Sequence, residues 1–93
     1  MATVTIKIPT SMRPLTGAAD RVQATGQTVA EVIVDLNRHH PGLQARLCEE
    51  TGQLRRFINV YVNEDDIRFL DDMDTALSEG DELSIIPAIA GGF

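Results

Sequence analysis

The sequence predicts one α+β domain, a mixed sheet packed on one main helix with a projecting C-terminal tail. Three patterns carry this expectation. Residues 3–8 alternate, with Val4, Ile6 and Ile8 on one face and Thr3, Thr5 and Lys7 on the other, the period of a half-buried strand. Residues 56–63 alternate again, placing Ile58, Val60 and Val62 opposite Phe57, Asn59 and Tyr61. Between them, Val29, Val32, Ile33 and Leu36 fall at i, i+3, i+4 and i+7 within residues 28–40, the single apolar stripe of an amphipathic helix.

The remaining elements follow in chain order. Pro9 ends the first strand, and residues 11–20, with Pro14 and Gly17, read as a turn region. A weaker strand over residues 21–24 completes an N-terminal hairpin. Thr28 and Glu31 form a capping box in which each side chain serves the other's free backbone N–H, and Pro41-Gly42 supplies the stop. His39 and His40 sit in the last turn, where a partly charged imidazole complements the helix dipole. Residues 43–50 fit a short helix, broken by Thr51-Gly52. Residues 63–66 are turn-like, residues 67–70 fit a short edge strand, and residues 71–77 are mostly polar around Met73 and Ala76. After a turn at residues 78–82, the last strand covers residues 83–86 and continues through Pro87. A proline lacks a ladder donor, so the strand is about to leave the sheet. The order strand, strand, helix, short helix, strand, short element, strand is that of a ubiquitin-like β-grasp. The folded domain is expected over residues 1–88 and a flexible diglycine tail over residues 89–93.

Composition narrows the function. At 93 residues, a chain buries about 60% of its unfolded surface and folds as one domain, small for an enzyme with its own cleft. Its 43% apolar and 24% charged residues are ordinary for a soluble globular protein. No apolar run is long enough to span a bilayer, and the first ten residues lack the pattern of a secretory signal, so the cytoplasm is the expected location. A net charge of −6 argues against nucleic acid, which is bound by neutralising phosphates, and favours protein partners that are basic where they dock. Cys48 is the only cysteine, which excludes an intramolecular disulfide and suits small apolar packing. The acidic residues Glu64, Asp65, Asp66, Asp71, Asp72 and Asp74 lack the ligand order of a calcium loop and read as a solvated surface. No metal and no cofactor is expected.

The chain ends Ala88-Ile89-Ala90-Gly91-Gly92-Phe93. Adjacent glycines forfeit side-chain packing and suit a tail that threads a narrow site. If the chain stopped at Gly92, its carboxylate could be adenylated by an ATP-using enzyme. Phe93 ties that carbonyl into a resonance-stabilised amide, so the chemistry requires its removal first. Phe57 and Tyr61 are expected to form an exposed aromatic pair and, with Ile86 and Ala88 on the outward side of the last strand, a partner-docking surface beside the tail.

With the tail and the element order in place, the chain resembles the ThiS/MoaD family of ubiquitin-like sulfur carriers over essentially its whole length, and within it the CysO-like branch. The residues carrying the resemblance are Ile8-Pro9-Thr10, Arg13-Pro14-Leu15-Thr16-Gly17, Arg56-Phe57-Ile58-Asn59-Val60-Tyr61-Val62-Asn63, and Gly80-Asp81 leading to Ile86-Pro87-Ala88-Ile89-Ala90-Gly91-Gly92. The resemblance implies a carrier, not an enzyme. A ubiquitin-activating-enzyme-like adenylyltransferase would adenylate Gly92, and sulfide would displace AMP to leave a thiocarboxylate. In the CysO-like branch the acceptor is a pyridoxal-phosphate cysteine synthase, and a JAMM-type zinc peptidase releases the product. Phe93 departs from the usual ending. Relatives extended beyond the diglycine are trimmed by that type of peptidase, and some serve siderophores or other sulfur metabolites. Three other readings stay open: a protein modifier joined to lysines through Gly92, the small subunit of a molybdopterin-synthase-like complex, and a β-grasp binding module with an inert tail.

Overall fold

The computed structural model describes residues 1–87. Ala88, Gly91, Gly92 and Phe93 lie outside the described residues, and with them the tail expected over residues 89–93.

Five strands form one sheet in the order β2-β1-β5-β3-β4: β1 (Ala2–Lys7), β2 (Arg21–Gly26), β3 (Ile58–Val62), β4 (Asp65–Asp66) and β5 (Glu82–Pro87). β1 pairs antiparallel with β2, which confirms the N-terminal hairpin, and parallel with β5. β3 pairs antiparallel with both β5 and β4. Helix α1 (Val29–His39) covers one face and is followed by the short α2 (Leu43–Leu47). This mixed sheet on one principal helix is the β-grasp that the element order implies.

The apolar stripe of α1 is the centre of the core. Val29, Val32, Ile33 and Leu36 are each at most 3% exposed and pack with Val4, Ile6, Val60, Leu83 and Ile85. Each such side chain contributes about 1.5–3 kcal/mol relative to exposure, an upper bound because the unfolded chain is itself partly collapsed. The capping pair forms with one change of partner. Glu31 N–H donates to Thr28 Oγ1 at 3.3 Å, whereas Glu31 Oε1 accepts from Gln27 N–H at 2.9 Å, one residue further out than expected. Asp35, on the flank of α1, accepts from Thr25 N–H at 2.9 Å and lies 3.6 Å from His39 Nε2. It thus ties the helix to β2 as well as meeting the last-turn imidazole.

A turn at residues 78–81 admits β5 to the centre of the sheet. Gly80 takes a φ of +87°, which a side chain would strain. Its N–H donates to Thr3 O at 3.0 Å, and Thr5 N–H donates to Asp81 O at 3.1 Å. The Asp81 carboxylate accepts from Ser78 N–H at 2.8 Å and from Asn63 Nδ2 at 3.2 Å. The turn therefore fastens β5 to both of its neighbours.

Several boundaries differ from the sequence expectation. The turn region at residues 11–20 contains a 3-10 helix, Thr10–Thr16, held by buried Met12 and by Arg13 Nε donating to Ile8 O. The helix expected over residues 43–50 stops at Leu47. Residues 67–70 are not an edge strand: Ile67–Phe69 form a 3-10 turn, and the edge strand is β4. Asp66 Oδ1 accepts Arg68 N–H at 2.9 Å, removing a donor that a ladder would use, and the alternation fails because Ile67 is fully buried while Phe69 is 87% exposed.

Gly26 lies close against the first turn of α1. A Cβ there would lie 2.7 Å from Val32 N and 2.9 Å from Glu31 Cβ, so backbone would have to move. Gly26→Ala is expected to destabilise the fold by about 1–3 kcal/mol, read as a lower urea midpoint at an unchanged slope. An unchanged midpoint would refute the close packing.

Candidate functional site

The site is built around the end of β5, where the chain passes toward the diglycine. Leu83 and Ile85 face the core at 2% and 6% exposure, while Ile86, opposite Asn59 on β3, faces outward and is exposed. Tyr61 is half-buried opposite Ser84, so Tyr61 and Ile86 are diagonal neighbours on the outer face of the sheet. Lys7 Nζ lies 3.3 Å from Glu82 Oε1 on that face, an exposed pair of small energetic weight.

The expected aromatic pair is divided. Phe57 precedes β3 in a turn, half exposed, with the Arg56 guanidinium carbon 5.8 Å from its ring centroid, within cation–π range. It does not stand on the strand with Tyr61. Together with Met12, Ile58 and Pro87 it lines a groove of about 370 Å³ at the end of the sheet, beside exposed Arg46 and Arg55. Pro87 belongs to both strand and groove, so the last described residue of β5 lies at this surface. The turns at residues 63–64 and 78–81, at the opposite end of β5, carry Glu64, Glu79 and Asp81. An acidic protein therefore presents arginines at the end of β5, with its acidic turns at the other end.

Arg68 holds the Phe57 turn in place. Its Nη2 donates to Ile58 O at 2.8 Å and to Arg55 O at 3.1 Å, and Nη1 donates to Asn59 Oδ1. Sequence reasoning passed over this residue. The available signal was a single basic residue within residues 64–74, which hold six acidic ones.

Cys48 is buried, and burial pushes its thiol above its ordinary pKa, with Arg55 opposing. A buried neutral thiol is a poor nucleophile, in keeping with a packing role. No group of residues among those described has the composition of a metal site, and no described helix is long and apolar enough to cross a membrane.

The sequence matches the ThiS family over residues 6–92. The chain belongs to the ThiS family. It is 45% identical over 91 residues to the sulfur carrier protein CysO of Mycobacterium tuberculosis, covering 96% of this chain and 98% of that one. It superimposes on a chain of the Amycolatopsis orientalis BexX/CysO complex with a TM-score of 0.90 at 48% identity, covering 96% and 99% of the two chains. Similarity to the small archaeal modifier protein 3 of Haloferax volcanii is 40% over 65 residues, 70% of each chain. The curated relatives are named as carriers or modifiers, so the ThiS-family chain is read as a protein carrier rather than an enzyme.

Removing the Arg68 fork is expected to loosen the turn that carries Phe57. Arg68→Ala should cost about 1–2 kcal/mol by urea denaturation and speed amide exchange selectively at residues 55–59. Arg68→Lys should recover little, since one ammonium cannot span three acceptors. Uniform exchange rates in the variant would rule out the positioning role.

Proposed function

We propose that this protein is a sulfur carrier made as a pro-form. After loss of Phe93, the Gly92 carboxylate attacks the α-phosphorus of ATP on a ubiquitin-activating-enzyme-like adenylyltransferase and releases pyrophosphate. The resulting acyl-adenylate is a mixed anhydride. Sulfide attacks its carbonyl carbon, AMP leaves with the bonding pair, and the product is a terminal thiocarboxylate, ionised at neutral pH. The carrier then donates sulfur to an acceptor such as a pyridoxal-phosphate cysteine synthase, for cysteine or another sulfur metabolite such as a siderophore. The supporting observation is that the family match runs to residue 92, through both glycines, together with near-full-length similarity to CysO. Gly91 and Gly92 would let the tail enter both enzymes, and the folded body would supply docking area.

Phe93 acts in this reading as a lock. A JAMM-type zinc peptidase, with metal-activated water as nucleophile, would cut between Gly92 and Phe93. Intact mass should fall by one phenylalanine residue on incubation with such a peptidase. With adenylyltransferase, ATP and sulfide added, it should then rise by the difference between sulfur and oxygen. Full-length chain without the peptidase should gain nothing, and Gly92→Val in the trimmed chain should stop the gain while leaving the melting curve unchanged. Sulfur transfer by a mature chain that keeps Phe93 would sink this assignment.

Tyr61 and Ile86 on the outer face, with Phe57 at the groove and Ala88 next along the sequence, are proposed as the docking surface for the adenylyltransferase. Tyr61→Ala or Ile86→Ala should weaken binding about tenfold by calorimetry, with the melting temperature held. A variant that binds normally but melts early would reassign the residue to the core.

The similarity to a small archaeal modifier protein favours one second reading, conjugation through Gly92 to lysines of other proteins. High-mass conjugates carrying this chain in its host, absent with Gly92→Val, would support it over the carrier.

A further inference from the structure

The two edges of the sheet differ. β4, at one edge, is two residues long and both are aspartates, too short and too charged to template another strand. β2, at the other edge, runs for six residues, Arg21-Val22-Gln23-Ala24-Thr25-Gly26, with Arg21 its only charge and no proline. Which of its main-chain groups point outward follows from β1. Thr3 O accepts from Gly80 N–H and Thr5 N–H donates to Asp81 O, so both residues turn toward β5. Their partners on β2, Thr25 and Gln23, therefore turn N–H and C=O to the open edge. Beside that edge Met1, Ala30 and Val34 line a hollow of about 390 Å³, with Met1 and Val34 exposed. A long strand flanked by apolar surface is a template for pairing. One of its outward donors is nevertheless taken: Thr25 N–H donates to Asp35 Oδ2 at 2.9 Å.

We propose that Asp35 closes the β2 edge against strand addition by a second copy of this chain. An antiparallel pair of β2 strands, two-fold symmetric about Gln23, would set each Gln23 opposite the other and each Thr25 opposite Arg21 of the second copy. In that register Thr25 N–H must donate to the Arg21 carbonyl across the axis. Asp35 already holds this donor, and its carboxylate would face the incoming carbonyl, so acceptor meets acceptor twice in the symmetric pair. The carboxylate is fastened for this role. Arg38 Nη1 at 3.9 Å and His39 Nε2 at 3.6 Å both approach Oδ1, which leaves Oδ2 to Thr25. The Asp35 side chain is 16% exposed, against 72% for Arg38 and 61% for His39, so it lies against the sheet while its cationic neighbours stay in water. Aspartate is a poor choice for the middle of a helix, and the bond to the strand edge gives its position in α1 a physical reason.

The test uses the full-length chain without any enzyme and is independent of the carrier reading. In the wild type, the Thr25 amide should exchange with solvent about tenfold more slowly than the Gln23 amide, which faces the same edge with no acceptor among the described residues. The wild type should sediment as a monomer from micromolar to millimolar concentration, whereas Asp35→Ala should form a dimer within that range. In a mixture of labelled and unlabelled Asp35→Ala chains, filtered nuclear Overhauser spectra should place β2 of one molecule against β2 of the other. Adding Gln23→Pro removes an outward donor and no bond to β1, and should weaken that dimer about tenfold. Should Asp35→Ala fold poorly, Asp35→Ser, whose hydroxyl is too short to reach Thr25, should give the same dimer. A Thr25 amide that exchanges as fast as that of Gln23, a wild type already paired through β2, a folded Asp35→Ala chain that stays monomeric, or a dimer that Gln23→Pro leaves intact would each overturn the proposal.

Discussion

The parallel pairing of β1 with β5 is the constraint from which the rest of the molecule follows. Thr5, Ile6 and Lys7 align with Glu82, Leu83 and Ser84, joining the beginning of the chain to its end across almost every other residue. A parallel pair cannot be closed by a tight turn, so the intervening chain must cross a face of the sheet, and α1 is the element that does so. Closing such a long connection costs chain entropy that local contacts do not repay. Repayment comes from the core that the crossover creates, where the α1 stripe meets Ile6 and Leu83 at the paired strands. The Gly80-Asp81 turn makes the register definite by bonding to Thr3 and Thr5 on one side and Asn63 on the other.

Because β5 is central, the residues leading to the diglycine are fixed by neighbours on both edges. An edge strand could peel away when an enzyme draws on the tail; β5 cannot leave without opening the ladders to β1 and β3 together. The body is thus a rigid handle, and its one cysteine is sealed in the core with a thiol that burial keeps neutral. On the proposed carrier reading, chemistry at the end of the chain would come from partner enzymes, which suits a fold organised in this way.

The parts legible in the sequence were those whose burial follows a local period. α1 showed through its stripe and its Thr28 cap, and β1, β3 and β5 through alternation, because each packs one face against the same core. Where long-range contacts decide the conformation, the pattern was silent or misleading. Ile67 and Phe69 looked like same-face strand residues, but the Asp66 cap winds the segment so that one is buried and the other is exposed. β4 consists of two aspartates, a composition with no strand propensity, and pairs only because Asn63, at a φ of 58°, turns the chain back along β3. Phe57 continued the alternation of β3 on paper, yet the ladder to β5 begins one residue later, opposite Pro87.

The candidate site shows the same division between what is local and what is assembled. The reading of the two glycines and the final phenylalanine rests on the sequence alone, since these residues lie outside the described ones. The surface beside them has no contiguous signature: Met12 comes from the 3-10 helix after β1, Arg46 from α2, Phe57 from the turn before β3 and Pro87 from the end of β5. Arg68 joins this group from the far side of the β3–β4 hairpin by bonding three acceptors of residues 55–59. A net charge of −6 described the chain as a whole and concealed the arginines gathered at one end of β5. That end is where β5, paired on both sides, reaches Pro87 beside Arg46 and Arg55, so the last described residue of an acidic chain sits against a cationic, apolar surface.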